Sequence, residues 1–157
     1  MSKTMSKSPS KATESKATES KAMESKVKGR TASGTMGVAQ QLVDLCRKGE
    51  TMEAVNSLYS PRVVSVEAEA SPAIPQRVEG LDAVRGKNEW WGQNHTVHGV
   101  EVEGPWPHGD RFIARFKWDV TSKAGPMAGQ RMKLDETALY TVRDGKIVQE
   151  EFFYNMG

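Results

Sequence analysis

Cysteine is nearly absent from this chain: Cys46 stands alone among 157 residues. A single thiol excludes an intrachain disulfide framework and fits a reducing compartment. Long apolar runs are missing as well, since no stretch approaches the roughly 20 residues that a helical membrane span needs. The N-terminal segment has no apolar core of the kind a secretory leader carries, so the expectation is a cytoplasmic protein without membrane contact. Phosphate-cradling glycine loops are lacking, because Gly34 and Gly37 precede a helical pattern but follow no strand. His95 and His98 do not make a metal motif. On a strand their side chains point to opposite faces, and Zn²⁺ normally takes three or four protein ligands. Cys46 falls on an apolar helical stripe and is therefore not a candidate nucleophile. No metal and no cofactor is expected.

Residues 1–34 are poor in apolar side chains. Ser10-Lys11-Ala12-Thr13-Glu14 recurs as Ser15–Glu19 and, with Met23 in place of Thr, as Ser20–Glu24; Ser25-Lys26 begins a fourth copy. A period of five keeps no face of a helix, and little there offsets the entropy of ordering, so a disordered basic tail is expected. Residues 1–35 hold eight Lys/Arg against three Glu, whereas the rest holds 14 basic and 17 acidic residues. The tail is basic and the remainder mildly acidic. Interspersed glutamates and the lack of an aromatic side chain argue against nucleic-acid contact through the tail.

About 120 residues remain, enough for one domain with a modest core, assigned to 35–157. Val38, Leu42, Leu45 and Cys46 fall at helical spacing after Thr35, a candidate N-cap, and Gly49 closes the helix. A second helix over Met52–Tyr59 ends at Ser60-Pro61, because a residue before proline is pushed out of the helical region. Arg62–Ala68 reads as a strand from its β-branched content. Pro72 and Pro75 mark Glu69–Gly80 as a loop and a candidate lid. Leu81–Asn94 predicts a third helix with Leu81, Val84, Asn88 and Trp91 on one side. Thr96–Glu103 is a strand with His98, Val100 and Val102 on one face, followed by a turn over Gly104–Gly109.

The last third carries the strongest pattern. Phe112, Ala114, Phe116, Trp118 and Val120 alternate with Ile113, Arg115, Lys117 and Asp119, which is period two and therefore a half-buried strand. In the next segment Met132, Leu134, Glu136, Ala138, Tyr140 and Val142 share a face, so one carboxylate stands in an otherwise apolar row. Asp144-Gly145 supplies a hairpin turn into Ile147–Tyr154. Helices followed by a run of long strands predict an α+β fold: a cone-shaped, curved antiparallel sheet wrapped around three helices from the N-terminal half, with a pocket at its wide end.

Leu45, Gly49, Ala54-Val55, Leu58-Tyr59-Ser60-Pro61 and Val64-Ser65-Val66-Glu67, then Gly80, Ala83-Val84-Arg85-Gly86 and Gly109-Asp110-Arg111-Phe112, and finally Asp144-Gly145-Lys146-Ile147-Val148 with Glu151-Phe152-Phe153-Tyr154, form one pattern. It resembles the SnoaL-like branch of the nuclear transport factor 2-like superfamily, which includes polyketide cyclases and ketosteroid isomerases. The resemblance covers about residues 36–157 and implies the cone fold, while members of the superfamily do unrelated things in that cone. By the resemblance to ketosteroid isomerase, the general-base position falls at Glu67. The oxyanion-donor positions fall near Leu42 or Val43 and near Ala138, where no donor stands, so steroid isomerisation is not expected.

If the Trp118 face is concave, Glu136 and Tyr140 point the same way, with His98 from the preceding strand and Glu67 from the first. The candidate catalytic residues are therefore Glu67, Glu136, His98 and Tyr140, with Trp91, Asn88, Trp118, Phe116, Tyr59, Trp106 and Tyr154 as candidate cavity lining. Such a set suits an isomerase, cyclase or hydrolase in which a carboxylate of raised pKa moves a proton beside a carbonyl on a hydrophobic molecule. Each member also has a structural role open to it. His98 could be a hydrogen-bonded core residue; Glu136 could pair with Arg115, Lys117 or Arg131; Glu67 could sit on a wet rim; Trp91 could simply pack. The alternative function is a non-catalytic module that binds a small molecule or dimerises through the outer sheet face.

Overall fold

Three helices come first. In the computed structural model, which describes residues 34–155, they are α1 (Thr35–Arg47), α2 (Thr51–Leu58) and α3 (Leu81–Asn94). The repeat tail expected over 1–34 lies, up to residue 33, outside the described residues. Val38, Ala39, Leu42, Val43 and Cys46 are the buried side of α1, and Ala54, Val55 and Leu58 that of α2. Full burial of each large aliphatic side chain contributes on the order of 1.5–3 kcal/mol. Gly34, not Thr35, occupies the N-cap of α1.

The strands are β1 (Tyr59–Val66), β2 (Arg77–Glu79), β3 (His95–His108), β4 (Arg111–Ser122), β5 (Arg131–Arg143) and β6 (Lys146–Phe153). They form one sheet in the order β2-β1-β6-β5-β4-β3. The fold is α+β as expected, with the sheet mixed: β1 runs parallel to β6, and the other neighbours are antiparallel. Tyr59 leaves the helix to start β1 beside Ile147, and the pairing is irregular between Tyr59 and Val64. Pro61 lies in that interval and has no N–H to give the ladder. Within the expected loop, Arg77–Glu79 adds an edge strand to β1.

Two irregularities in β3 control which side chains face inward. The register slips between Val97 and Gly99, and again between Glu103 and Trp106. An extra residue in one strand inverts the alternation beyond it. The second slip carries the strand through the segment expected as a turn, which moves the reversal to Gly109-Asp110. Gly104 makes this possible: its φ is +105°, and a Cβ there would lie 3.0 Å from the Ile113 carbonyl oxygen. The hairpin between β5 and β6 is the expected one, with Asp144 and Gly145 both at positive φ.

The inner face of β4 and β5 sets Phe112 against Tyr140, Ala114 against Ala138, Phe116 against Glu136 and Trp118 against Leu134. Phe112, Ala114, Ala138 and Tyr140 close the narrow end with α1 and α2. Arg47 at the end of α1 reaches across to donate to the Val102 carbonyl at 3.0 and 3.2 Å, which ties the helix to β3.

Candidate active site

At the wide end the sheet and helices enclose an open cavity of about 1170 Å³. Its lining includes Tyr59, Glu67, Lys87, Asn88, Trp91, His95, Phe116, Trp118, Glu136, Tyr140, Phe152 and Tyr154. Ser71 and Ile74 bring the β1–β2 loop to its edge. Aromatic packing shapes the wall: Trp91 lies 5.0 Å from Trp118 between ring centroids, and Phe116 stacks on Trp118 at 6.0 Å.

Glu136 stands in this wall and accepts a hydrogen bond from Trp118 Nε1 at 3.1 Å. Its carboxyl is pushed up to about 7, first by loss of water and only secondarily by the nearby charges of Glu67 and Glu150, with the Trp118 bond opposing. The three basic residues that could have paired with it are on the other face. Arg115 binds Asp135, Lys117 binds Glu103, and Arg131 binds Asp119.

Glu67 sits just past β1 in a second cluster. One oxygen contacts the Lys87 ammonium from α3, and the other accepts from the Tyr154 hydroxyl at 3.0 Å. The Tyr154 phenol is pushed up to about 12 by burial and by the adjacent carboxylate, so it stays protonated and able to donate. Lys87 also donates to Ser65 Oγ at 2.6 Å, and Ser65 donates to Glu150 Oε1 at 2.7 Å. Tyr59 donates to the other Glu150 oxygen. Glu150 is only 1 % exposed, and burial pushes its carboxyl above the ordinary range.

The sequence reading missed Glu150, Ser65 and Lys87. Glu150 lies opposite Tyr140 in the β5–β6 ladder and therefore on the inner face. The register itself was readable only from the paired structure, because β6 has a slip beside Val142. An alternating count of Ile147–Tyr154 places Glu150 and Phe152 on one face, which was the available signal.

His98 is a correction. It is exposed and bonded through Nε2 to Thr121 Oγ1 at 2.7 Å, outside the cavity. The slip between Val97 and Gly99 turns it away and leaves His95 inside. The His95 ring stacks on Trp91 at 4.5 Å, and its Nδ1 lies 2.8 Å from the Trp91 carbonyl oxygen. A carbonyl can only accept, so Nδ1 carries a proton. Trp106 is a second correction. It is 51 % exposed and pairs with Ile113 on the outer face, beyond the second slip and away from the cavity. Tyr140 lines the cavity floor, stacked on Phe112 at 4.8 Å and hydrogen-bonded with Tyr59. Leu42, Val43 and Ala138, at the oxyanion-donor positions implied by ketosteroid isomerase, are buried apolar side chains. No group of three or more His, Cys, Asp or Glu able to hold a metal occurs among the described residues. None of their helices is long and apolar enough to cross a membrane.

Comparison with known proteins places this geometry. A family model described as a SnoaL-like domain matches residues 33–154. A Mesorhizobium loti structure, named as a candidate SnoaL-like polyketide cyclase and also labelled carbohydrate phosphatase, is 40 % identical with a TM-score of 0.70; the match covers 76 % of this chain and 97 % of that one. A candidate SnoaL-like polyketide cyclase from Jannaschia sp. CCS1 is 16 % identical with a TM-score of 0.62, covering 78 % of this chain and 85 % of its own. A Xanthomonas campestris protein of unknown function with a cystatin-like fold is 16 % identical with a TM-score of 0.62, covering 77 % and 90 %. The last two show likeness of fold alone. No curated protein matches the chain at a significant level.

Proposed function

The chain belongs to the SnoaL-like domain family, and from that membership we propose a cofactor-independent isomerase- or cyclase-type enzyme that moves a proton beside the carbonyl of a hydrophobic molecule. The observation that carries this reading is the Glu136 carboxyl. It stands in an aromatic cavity wall, held by an indole N–H, with a pKa of about 7. Near neutral pH it is present in both forms, so it can take a proton from carbon and return it elsewhere. Tyr154 stays protonated, and turning its single O–H from Glu67 to the substrate makes it the donor that steadies the developing enolate oxygen. Glu67 is already committed to Lys87 and Tyr154, and its role is to position them. The cavity's charge disfavours a phosphoester, because Glu67 already pairs with the Lys87 ammonium and the dianion would also meet Glu69 and Glu136.

Deuterium uptake at the carbon beside the carbonyl of 2-tetralone, followed by NMR in D₂O, tests the proposal. The wild type is expected to accelerate exchange, and Glu136→Gln to lose about 100-fold or more of that acceleration. Equal rates for both proteins remove Glu136 from the role.

The Glu67–Lys87 ion pair supports a second reading, a non-catalytic module that holds an apolar ligand, since it occupies the carboxylate at the base position implied by the resemblance to ketosteroid isomerase. Self-association through the outer sheet face is proposed on the exposed Trp106 and Ile113, paired on that face. Sedimentation velocity is expected to show a dimer that Trp106→Glu dissociates; a wild-type monomer sinks the idea.

A further inference from the structure

The amine of Lys87 is unused by the proton transfer just described. It enters the cavity wall from α3 with 10 % of its side chain exposed, touching Glu67 and donating to Ser65. An ammonium has three donors, and these contacts use two of them. The Phe152 ring, itself part of the lining, lies 5.0 Å from the nitrogen. The other lining lysine, Lys133, belongs to the outer face, paired in register with Asp119.

We propose that Lys87 is a nucleophile that forms an iminium with carbonyl compounds entering the cavity, an inference that rests on the reading of this cavity as a carbonyl site. Attack needs a free amine, and the Glu67 carboxylate in contact with the nitrogen accepts the proton that must leave first. The amine then forms a C–N bond as the carbonyl π pair moves to oxygen, and Tyr154, its single O–H turned away from the now-protonated Glu67, protonates that oxygen. The nitrogen returns a proton to the tyrosine, Glu67 gives its proton to the hydroxyl, and water leaves as the nitrogen lone pair forms C=N. Two of the three ammonium protons depart as water and one stays on the iminium. Charge at the nitrogen is the same before and after. The contacts that hold the ammonium, Glu67 and the Phe152 ring, therefore hold the iminium as well. Ser65, fixed from behind by Glu150, keeps the nitrogen at the wall. An iminium draws electrons from the neighbouring C–H, whose proton Glu136 removes to leave an enamine.

The test is reductive trapping. The full-length protein is incubated with 2-tetralone and sodium cyanoborohydride, and the adduct is mapped by peptide mass spectrometry. Label is expected on the Lys87 peptide at about tenfold or more above any other lysine, and absent from Lys87→Arg, which keeps the cation. Uniform labelling of lysines, or none at Lys87, overturns the proposal. If Lys87→Arg does not fold, Glu67→Gln keeps the amine and removes its proton acceptor. Trapping there is expected to fall about tenfold, and unchanged trapping also overturns the assignment. Deuterium uptake that depends on Glu136 but runs at the wild-type rate in Lys87→Arg removes the iminium and leaves the proton transfer standing. Trapping at Lys87 with exchange indifferent to Glu136→Gln does the reverse.

Discussion

Asp135 and Glu136 are adjacent on β5, yet they live in different solvents. Asp135 points outward and takes a two-pronged hydrogen bond from Arg115 at 2.9 and 2.6 Å, which holds its carboxyl below the ordinary range. Glu136 points inward, meets an indole and aromatic rings, and is pushed up to about 7. Two more outer carboxylates follow the first pattern: Arg131 lowers Asp119, and Lys117 lowers Glu103. The inner face follows the second, with Glu150 raised by burial. The teaching is that the face a strand carboxylate occupies sorts these five into solvated ion pairs and desolvated acids, because water screens one face and is excluded from the other.

The deepest inner carboxyl offers the strongest way to break this comparison. Glu150→Ala strips Tyr59 and Ser65 of their acceptor inside the core and is expected to cost roughly 3 kcal/mol in urea unfolding. Glu150→Gln, which keeps one acceptor oxygen, is expected to cost less. A small loss for alanine would mean that water reaches the site and that the inner face is not dry.

Titration sharpens the contrast between the two neighbours. Glu136 has a folded pKa above its unfolded value of 4.5, so the native state binds more protons between them and stability falls as pH rises from about 4.5 to about 7. A shift of this size corresponds to roughly 3 kcal/mol at most. Glu136→Gln is expected to flatten that slope in unfolding measured at pH 5 and pH 8, gaining on the wild type at the higher pH. Asp135→Asn, run beside it, has the opposite sign: a lowered carboxyl contributes above its unfolded pKa of 3.8 and loses that contribution as pH falls through its folded value. Its effect is expected to be the smallest and to vanish in 1 M salt, since the pair is exposed. A slope unchanged by Glu136→Gln would place that carboxyl in water.

Much of the fold was legible from the residues. The spacing of Leu81, Val84, Asn88 and Trp91 predicts Leu81–Asn94, the range observed for α3. The alternation from Phe112 to Val120 and from Met132 to Val142 gives β4 and β5 to within two residues at either end. Asp144-Gly145 predicts its hairpin because few other pairs accept positive φ at both positions. Glu136 stands out as a lone carboxylate in an apolar row, and its environment follows from that row. His98 and Trp106 were misplaced because each lies beside a slip in β3, and an inserted residue reverses every side chain beyond it.

The sequence by itself determined the three helices, the long strands β4 and β5, their apolar faces and the presence of Glu136 on the concave side, since periodicity is a local property of the chain. Tertiary structure decided which groups meet. Ser65 of β1, Lys87 of α3 and Glu150 of β6 are 22 and 85 residues from one another through their two hydrogen bonds. No local pattern encodes that contact. It arises because β1 lies parallel to β6 while α3 packs beside β1, bringing an amine, a hydroxyl and two carboxylates to one wall. The choice of His95 over His98 was likewise made by a register that exists only once β3 pairs with β4.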